Sequence, residues 1–340
     1  MAFKDIAGNG RVKRILKIAL QRNRVPGSLL FSGPPGVGKL EMAETLAKAL
    51  NCRTMKDDAC ETCPSCRAIH DTVTDPDKQG KCPDVMMISL AENKKKVGID
   101  QIRLLKQTAY LKPMTARARV FIIEDADIMT PEAANSILKV LEEPPPCSYI
   151  ILITENPHLI LPTIRSRCRA LEFASIGREE IENVLVEKGF SPDEARFRAL
   201  AADGDLDMAV NLDEEEARAE RDDAWGYFDA LLAGKGTTEF LSKFAFSARS
   251  QAEDDFKRTL AAFASFCRDL ILIKSGGERR FLLNPDREEA LMELAGLWSF
   301  EESLDCLART DSLMAGLSKN MNMNLLAGLY YSSFGESKHA

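Results

Sequence analysis

Four short apolar runs punctuate the first half of the chain: Ser28-Leu29-Leu30-Phe31-Ser32, Val85-Met86-Met87-Ile88-Ser89, Val120-Phe121-Ile122-Ile123 and Tyr149-Ile150-Ile151-Leu152-Ile153. Runs this short, apolar at successive positions, read as strands buried on both faces. Helical spacing fills the gaps. Ala43, Leu46, Ala47 and Leu50 predict a helix over 39–50, and Ile102, Leu105 and Ala109 one over 100–112. A third helix has Thr130 as cap and Pro131 in its first turn, continues through Asn135, Leu138 and Leu141, and stops at Leu141-Glu142-Glu143-Pro144-Pro145-Pro146. Strands alternating with helices predict an α/β domain, a parallel sheet covered by helices, over 1–172. After Phe173 the strand-like runs stop. Residues 173–212 read as a small helical unit with a helix start at Ser191-Pro192-Asp193-Glu194. Residues 213–340 read as all-α, opening on the solvated face Asp213-Glu214-Glu215-Glu216 and broken at Gly234-Lys235-Gly236 and Ser275-Gly276-Gly277. Leu260, Phe263, Phe266 and Leu270 in this part suit either a core or an interface.

Composition narrows the class without choosing a function. A chain of 340 residues, 45% hydrophobic and 29% charged, is ordinary globular material for two or three domains. No apolar run approaches the ~20 residues of a membrane span, and Met-Ala-Phe-Lys-Asp-Ile has no secretory character. Five of the nine cysteines fall between Cys52 and Cys82. That odd, clustered count points to a reducing cytoplasm and a metal, not a disulfide framework. A net charge of −7 restricts any nucleic-acid contact to a local patch.

Three features carry chemistry. Gly33-Pro34-Pro35-Gly36-Val37-Gly38-Lys39-Leu40 fits the phosphate loop G-x-x-x-x-G-K-[ST] except at its last position. Its glycines let backbone N–H groups curl around an anion, and Lys39 reaches phosphate oxygens. Leu40 lacks the hydroxyl that would hold Mg²⁺. The third apolar run ends in Glu124-Asp125, carboxylates where an NTPase holds Mg²⁺ and polarises water, but in the reverse of the usual Asp-Glu order. The fourth run delivers Thr154, a polar group able to sense a γ-phosphate. Cys52, Cys60, Cys63 and Cys66, spaced C-x7-C-x2-C-x2-C, are the ligand set of a closed structural Zn²⁺ site within a polar insertion, 52–66. Cys82 and His70 are nearby spares, and Cys147, Cys168, Cys267 and Cys306 read as packing residues.

Leu161-Pro162-Thr163-Ile164-Arg165-Ser166-Arg167-Cys168 follows the Leu-Glu-Glu-Pro-Pro segment. The order of phosphate loop, cysteine quartet, acidic strand end, Leu-Glu-Glu-Pro-Pro and Ser-Arg-Cys resembles the clamp-loader branch of the AAA+ ATPases, in the bacterial DNA polymerase III assembly. The likeness covers about 210 residues. It implies a RecA-like AAA+ domain, a helical lid over 173–212 and a helical collar over 213–340. Two kinds of subunit in the family share these motifs, an ATP-hydrolysing gamma/tau kind and a non-hydrolysing kind at one edge of the ring. Leu40, Glu124-Asp125 and Asp207, which stands in Gly204-Asp205-Leu206-Asp207-Met208-Ala209 where the ATPase kind carries arginine, all depart from the hydrolysing pattern. Arg167 is intact. The resemblance therefore implies a chain without ATPase activity of its own, and without a long tail of the tau kind. It would lend Arg167 as an arginine finger to a neighbouring subunit's ATP while the sliding clamp is loaded onto primed DNA.

The implied partners are gamma/tau and delta subunits, the sliding clamp, and primer–template DNA held by its phosphates. The N-termini of the helices near Gln101 and Thr130 suit such contacts, helped by Arg103, Lys106 and the Lys94-Lys95-Lys96 run. Lys39 and the glycines survive, which leaves binding of ATP or ADP open. Two other readings stand beside this one: an active gamma/tau-type ATPase, and a zinc-containing DNA-binding module with a relic phosphate loop.

Overall fold

All four apolar runs are strands of one parallel sheet in the computed structural model, which describes residues 1–74, 81–90, 96–232, 244 and 250–317. They are β1 (Ser28–Ser32), β2 (Val85–Ile88), β3 (Arg119–Ile123) and β4 (Ser148–Thr154), joined by β5 (Arg169–Glu172) in the order β2-β3-β4-β1-β5. The sequence reading missed β5. Its residues Arg-Ala-Leu-Glu bury only Leu171 and form no apolar run, unlike the other edge strand, β2, which is Val-Met-Met-Ile.

Successive side chains of a strand point to opposite faces, so the sheet has two cores. Leu29, Phe31, Val120, Ile122, Ile151 and Ile153 pack against α1 (Gly10–Gln21), α2 (Lys39–Asn51) and α3 (Pro64–Thr74). Leu30, Phe121, Ile123, Ile150 and Leu152 pack against α4 (Ile99–Ala109), α5 (Pro131–Glu142) and the short α6 (Pro162–Arg165). Helix α4 ends at Ala109, three residues before the expected limit. Three lid helices complete this unit, Met1–Leu212: α7 (Arg178–Glu187), α8 (Pro192–Ala201), started by a Ser191/Glu194 capping box, and α9 (Leu206–Asn211).

A second unit, Asp213–Ala340, has its own apolar core. Its described helices are α10 (Glu214–Leu232), α11 (Ser250–Lys274), α12 (Glu288–Leu297) and α13 (Phe300–Leu317). Leu260, Phe263, Phe266 and Leu270 are fully buried in that core, which settles the choice the sequence left open. Cys267 and Cys306 are buried there too, but Cys147 is not a packing residue: it is exposed, at a turn with φ 64°. The Gly234-Lys235-Gly236 break lies outside the described residues. Among the described residues no helix is long and apolar enough to cross a membrane.

The sheet is cross-tied by a buried charge. Asp84, just before β2, accepts backbone N–H bonds from Met114, Thr115 and Ala116 at 2.7–2.9 Å and one from Arg119 Nη2 at 2.8 Å. Burial pushes its carboxyl up, but these donors outweigh burial and hold it at about 2. A carboxylate depressed in the fold stabilises above its ordinary pKa and loses that contribution as pH falls through its folded value. Asp84→Ala is therefore expected to cost about 3–5 kcal/mol, since it also strands the buried Arg119 cation. Urea titration at pH 7 would measure this, and the gap between variant and wild type should shrink between pH 4 and 2.

Candidate functional site

The phosphate loop joins the C-terminal end of β1 to α2, with β4 and β5 ending beside it at Thr154 and Glu172. An α/β sheet places ligands at such strand ends. Here the loop is engaged by its own chain. Lys39 Nζ donates to the carbonyls of Gly33, at 2.7 Å, and of Pro34. Gly36 has φ +57°, and the Asp205 carboxylate lies so close that a Cβ there would fall 1.6 Å from Asp205 Oδ1. Asp205 caps α9 by accepting from Met208 N at 2.8 Å, and the next residue, Leu206, donates its N–H to the Gly36 carbonyl at 3.0 Å. The first turn of this lid helix is thus docked on the loop.

The surroundings are acidic. Burial pulls the Lys39 ammonium down, while Glu155, Asp205, Asp125 and Glu41 oppose that pull. Burial, then neighbouring carboxylates, raises Glu41, Glu124, Asp125 and Asp207. A phosphate entering here would meet like charges. Leu40, in place of a metal-binding hydroxyl, packs against the core. Asp125 has a left-handed backbone, φ 47°, which Asp tolerates. The Thr154 hydroxyl, expected to face a γ-phosphate, is buried and donates to Asp127 at 2.5 Å. Glu155, beyond it, is the carboxylate acting most strongly on Lys39. Glu41, Glu155 and Asp205 were not singled out from sequence. The one signal for Asp205 was its place as a capping residue before a lid helix.

Arg167 follows α6. Its Nε donates to Glu142 at 2.9 Å and its Nη1 to the Thr163 carbonyl at 3.0 Å. Both side chains remain partly exposed. Burial pushes the neighbouring Cys168 thiol up to about 12, so that thiol is a neutral packing group.

Cys52, Cys60, Cys63 and Cys66 bring their four Sγ atoms within 4.8 Å of one another. Tetrahedral Zn²⁺ with Zn–S of about 2.3 Å needs sulfurs roughly 3.8 Å apart, and Cys60 and Cys66 are at 3.9 Å. Backbone N–H groups of Met55 and Cys63 point at Cys52 and Cys60 Sγ at 3.3 Å. Hydrogen bonds from Thr54, Cys63 and Thr62 bring the Cys60 thiol down to about 5. The donor set thus fits a closed zinc site. It lies at the C-terminal end of α2, about 20 Å of helix from the phosphate loop. The wholly buried Lys48 of α2 pins the insertion by pairing with Glu61 at 3.0 Å and Glu44 at 2.6 Å. Cys63→Ser is expected to abolish metal content, read as one zinc per wild-type chain by atomic emission, and to make 52–66 the first protease-sensitive segment.

The N-termini of α4 and α5 sit side by side, because Val97 and Met129 just before them form a bridge. Gln101 does not offer its side chain outward: it accepts from Gly98 N and donates to the Ser89 carbonyl. Thr130 accepts from Ala133 N as the cap of α5, Arg103 pairs with the exposed Asp100, and Lys106 donates to Ser136. Lys94 and Lys95 lie outside the described residues, and Lys96 is exposed.

A parallel sheet with a phosphate loop at the end of its inner strand β1 and a helical lid on that loop define an AAA+ type P-loop protein. The family model for the DNA polymerase III delta subunit matches residues 8–177. The chain is 31% identical over 273 residues to the DNA polymerase III subunit delta-prime of Bacillus subtilis, covering 80% of each protein. It is 32% identical over 270 residues to the subunit tau of the same organism, covering 76% of this chain but 45% of tau. The chain thus spans under half of that tau relative. Among solved structures it is similar to a gamma subunit-related protein of Thermotoga maritima, with a TM-score of 0.43 at 18% identity, covering 95% of this chain and 98% of that one. The chain belongs to the delta-prime/gamma/tau family of DNA polymerase III clamp-loader subunits.

Proposed function

We propose that this chain is the delta-prime-type subunit of its clamp loader. It does not hydrolyse ATP itself, and it supplies Arg167 across a subunit interface to ATP held by a neighbouring gamma/tau-type subunit. The observation that carries this reading is the phosphate loop closed on itself, with Lys39 bonded to loop carbonyls and the Asp205 carboxylate against Gly36. Such a loop has no metal-holding hydroxyl, and the carboxylate against Gly36 repels a phosphate. A guanidinium beside another subunit's γ-phosphate stabilises transition-state charge, which is the arginine-finger function. Zn²⁺ on the four cysteines would order the insertion and take no part in catalysis. The paired N-termini of α4 and α5 would hold DNA backbone phosphates without reading sequence. The helices from 213 onward would form the collar joining this chain to gamma/tau and delta subunits, and the assembly would open the sliding clamp and close it on primed DNA. ATP turnover tests the reading. The isolated chain should show none above a Lys39→Ala control, while the reconstituted complex should hydrolyse ATP in a manner dependent on Arg167. Turnover by the isolated chain that vanishes with Lys39→Ala would instead establish an active ATPase.

A further inference from the structure

Arg167 is held from two directions within its own chain. Glu142, the last residue of α5, takes the Nε–H at 2.9 Å, and the Thr163 carbonyl in α6 takes an Nη1–H at 3.0 Å. Two bonds on different edges of a planar group fix both its plane and its rotation. Nη2 has no acceptor among the described residues, so the guanidinium keeps that nitrogen for an anion outside the chain. Of the two acceptors Glu142 is the side chain. A carboxylate at a helix C-terminus is unfavourable to that helix, because the last carbonyls carry the negative end of the dipole. Helix stability therefore does not account for glutamate at 142, whereas the bond to Arg167 does. The three prolines from Pro144 end α5 and fix where this carboxylate stands.

We propose that Glu142 is the positioning residue for Arg167, holding the guanidinium with its outer edge presented to the oxygens of a neighbouring subunit's nucleotide. The inference rests on the finger reading of Arg167. Without Glu142 only the Thr163 carbonyl holds the guanidinium, its plane and rotation are no longer both fixed, and about 1 Å of misplacement is enough to cost roughly a hundredfold in rate.

The test is a double-mutant cycle in a complex reconstituted with gamma/tau-type and delta-type subunits, with clamp and primed DNA present. The hydrolysis that depends on Arg167 is the difference between wild type and Arg167→Ala. Glu142→Ala should lower the kcat of that part about tenfold and leave the KM for ATP unchanged. Glu142→Gln retains an oxygen acceptor for Nε–H and should stay within about twofold of wild type. On the Arg167→Ala background, Glu142→Ala should cause no further loss. An unchanged kcat in Glu142→Ala, with Arg167→Ala impaired, overturns the positioning role and leaves the finger standing. A further loss on the Arg167→Ala background, or failure of Glu142→Ala to assemble, makes Glu142 structural and overturns it equally. Full activity in Arg167→Ala removes the finger reading itself, and the positioning role with it.

Discussion

Arg167→Ala is expected to leave this chain folded and its complex assembled, yet to slow hydrolysis at the ATP site it serves by about 10³-fold or more, the typical worth of an arginine finger. Folding should survive because the pair with Glu142 is partly exposed, and exposed ion pairs contribute about 0–1 kcal/mol. The contrast between negligible stability loss and large rate loss is what separates the finger from a surface salt bridge. Single-turnover phosphate release in the clamp- and DNA-stimulated complex reports the rate, and a thermal melt of the isolated chain reports the stability. Arg167→Lys should recover little, because an ammonium cannot engage phosphate oxygens with a planar fork. A complex with unchanged phosphate release after Arg167→Ala would leave Arg167 a surface ion pair.

Asp205→Ser should tighten nucleotide binding by the isolated chain by tenfold or more. Serine keeps the cap of α9, since its hydroxyl also accepts from the Met208 N–H, so the lid helix is not the variable. What changes is the carboxylate against Gly36 and its charge beside Lys39. Fluorescence anisotropy of a labelled ATP analogue would measure the shift, with Asp205→Ser/Lys39→Ala as the control that should abolish the gain. Hydrolysis should not return with binding, because Leu40 still offers no metal ligand and Glu124-Asp125 remains in reversed order. Equal, tight binding by wild type and variant would show that the loop is open in solution.

The central strands were legible because they are enclosed on both faces, so their sequences are unbroken apolar runs: β1 is buried at every position. The edge strand β5, with one buried residue, left no such trace. The phosphate loop and the cysteine quartet were legible for another reason, since their ligands are neighbours in sequence and spacing alone suggests the geometry. Contacts that decide how the loop stands were not. Asp205 meets Gly36, and Glu142 meets Arg167, only after the lid and α6 have been folded back onto the sheet. Each is an ordinary acidic residue by local pattern, one a helix cap and the other a helix end. The charge around Lys39 is likewise collected from four separate segments, and no window of the sequence contains it.

The register of β5 has one more consequence. Arg169 pairs with Leu29 at the N-terminal end of β1, whereas the phosphate loop leaves the opposite end after Ser32. Arg167 therefore stands about 13 Å or more, measured along the strands, from the loop of its own chain. On the finger reading the molecule is vectorial: what it would donate and what it would receive lie at opposite ends of the same pair of strands. On that reading the chemistry of Arg167 is an encounter between chains, and diluting the complex below its dissociation constant should make specific activity per subunit fall with concentration.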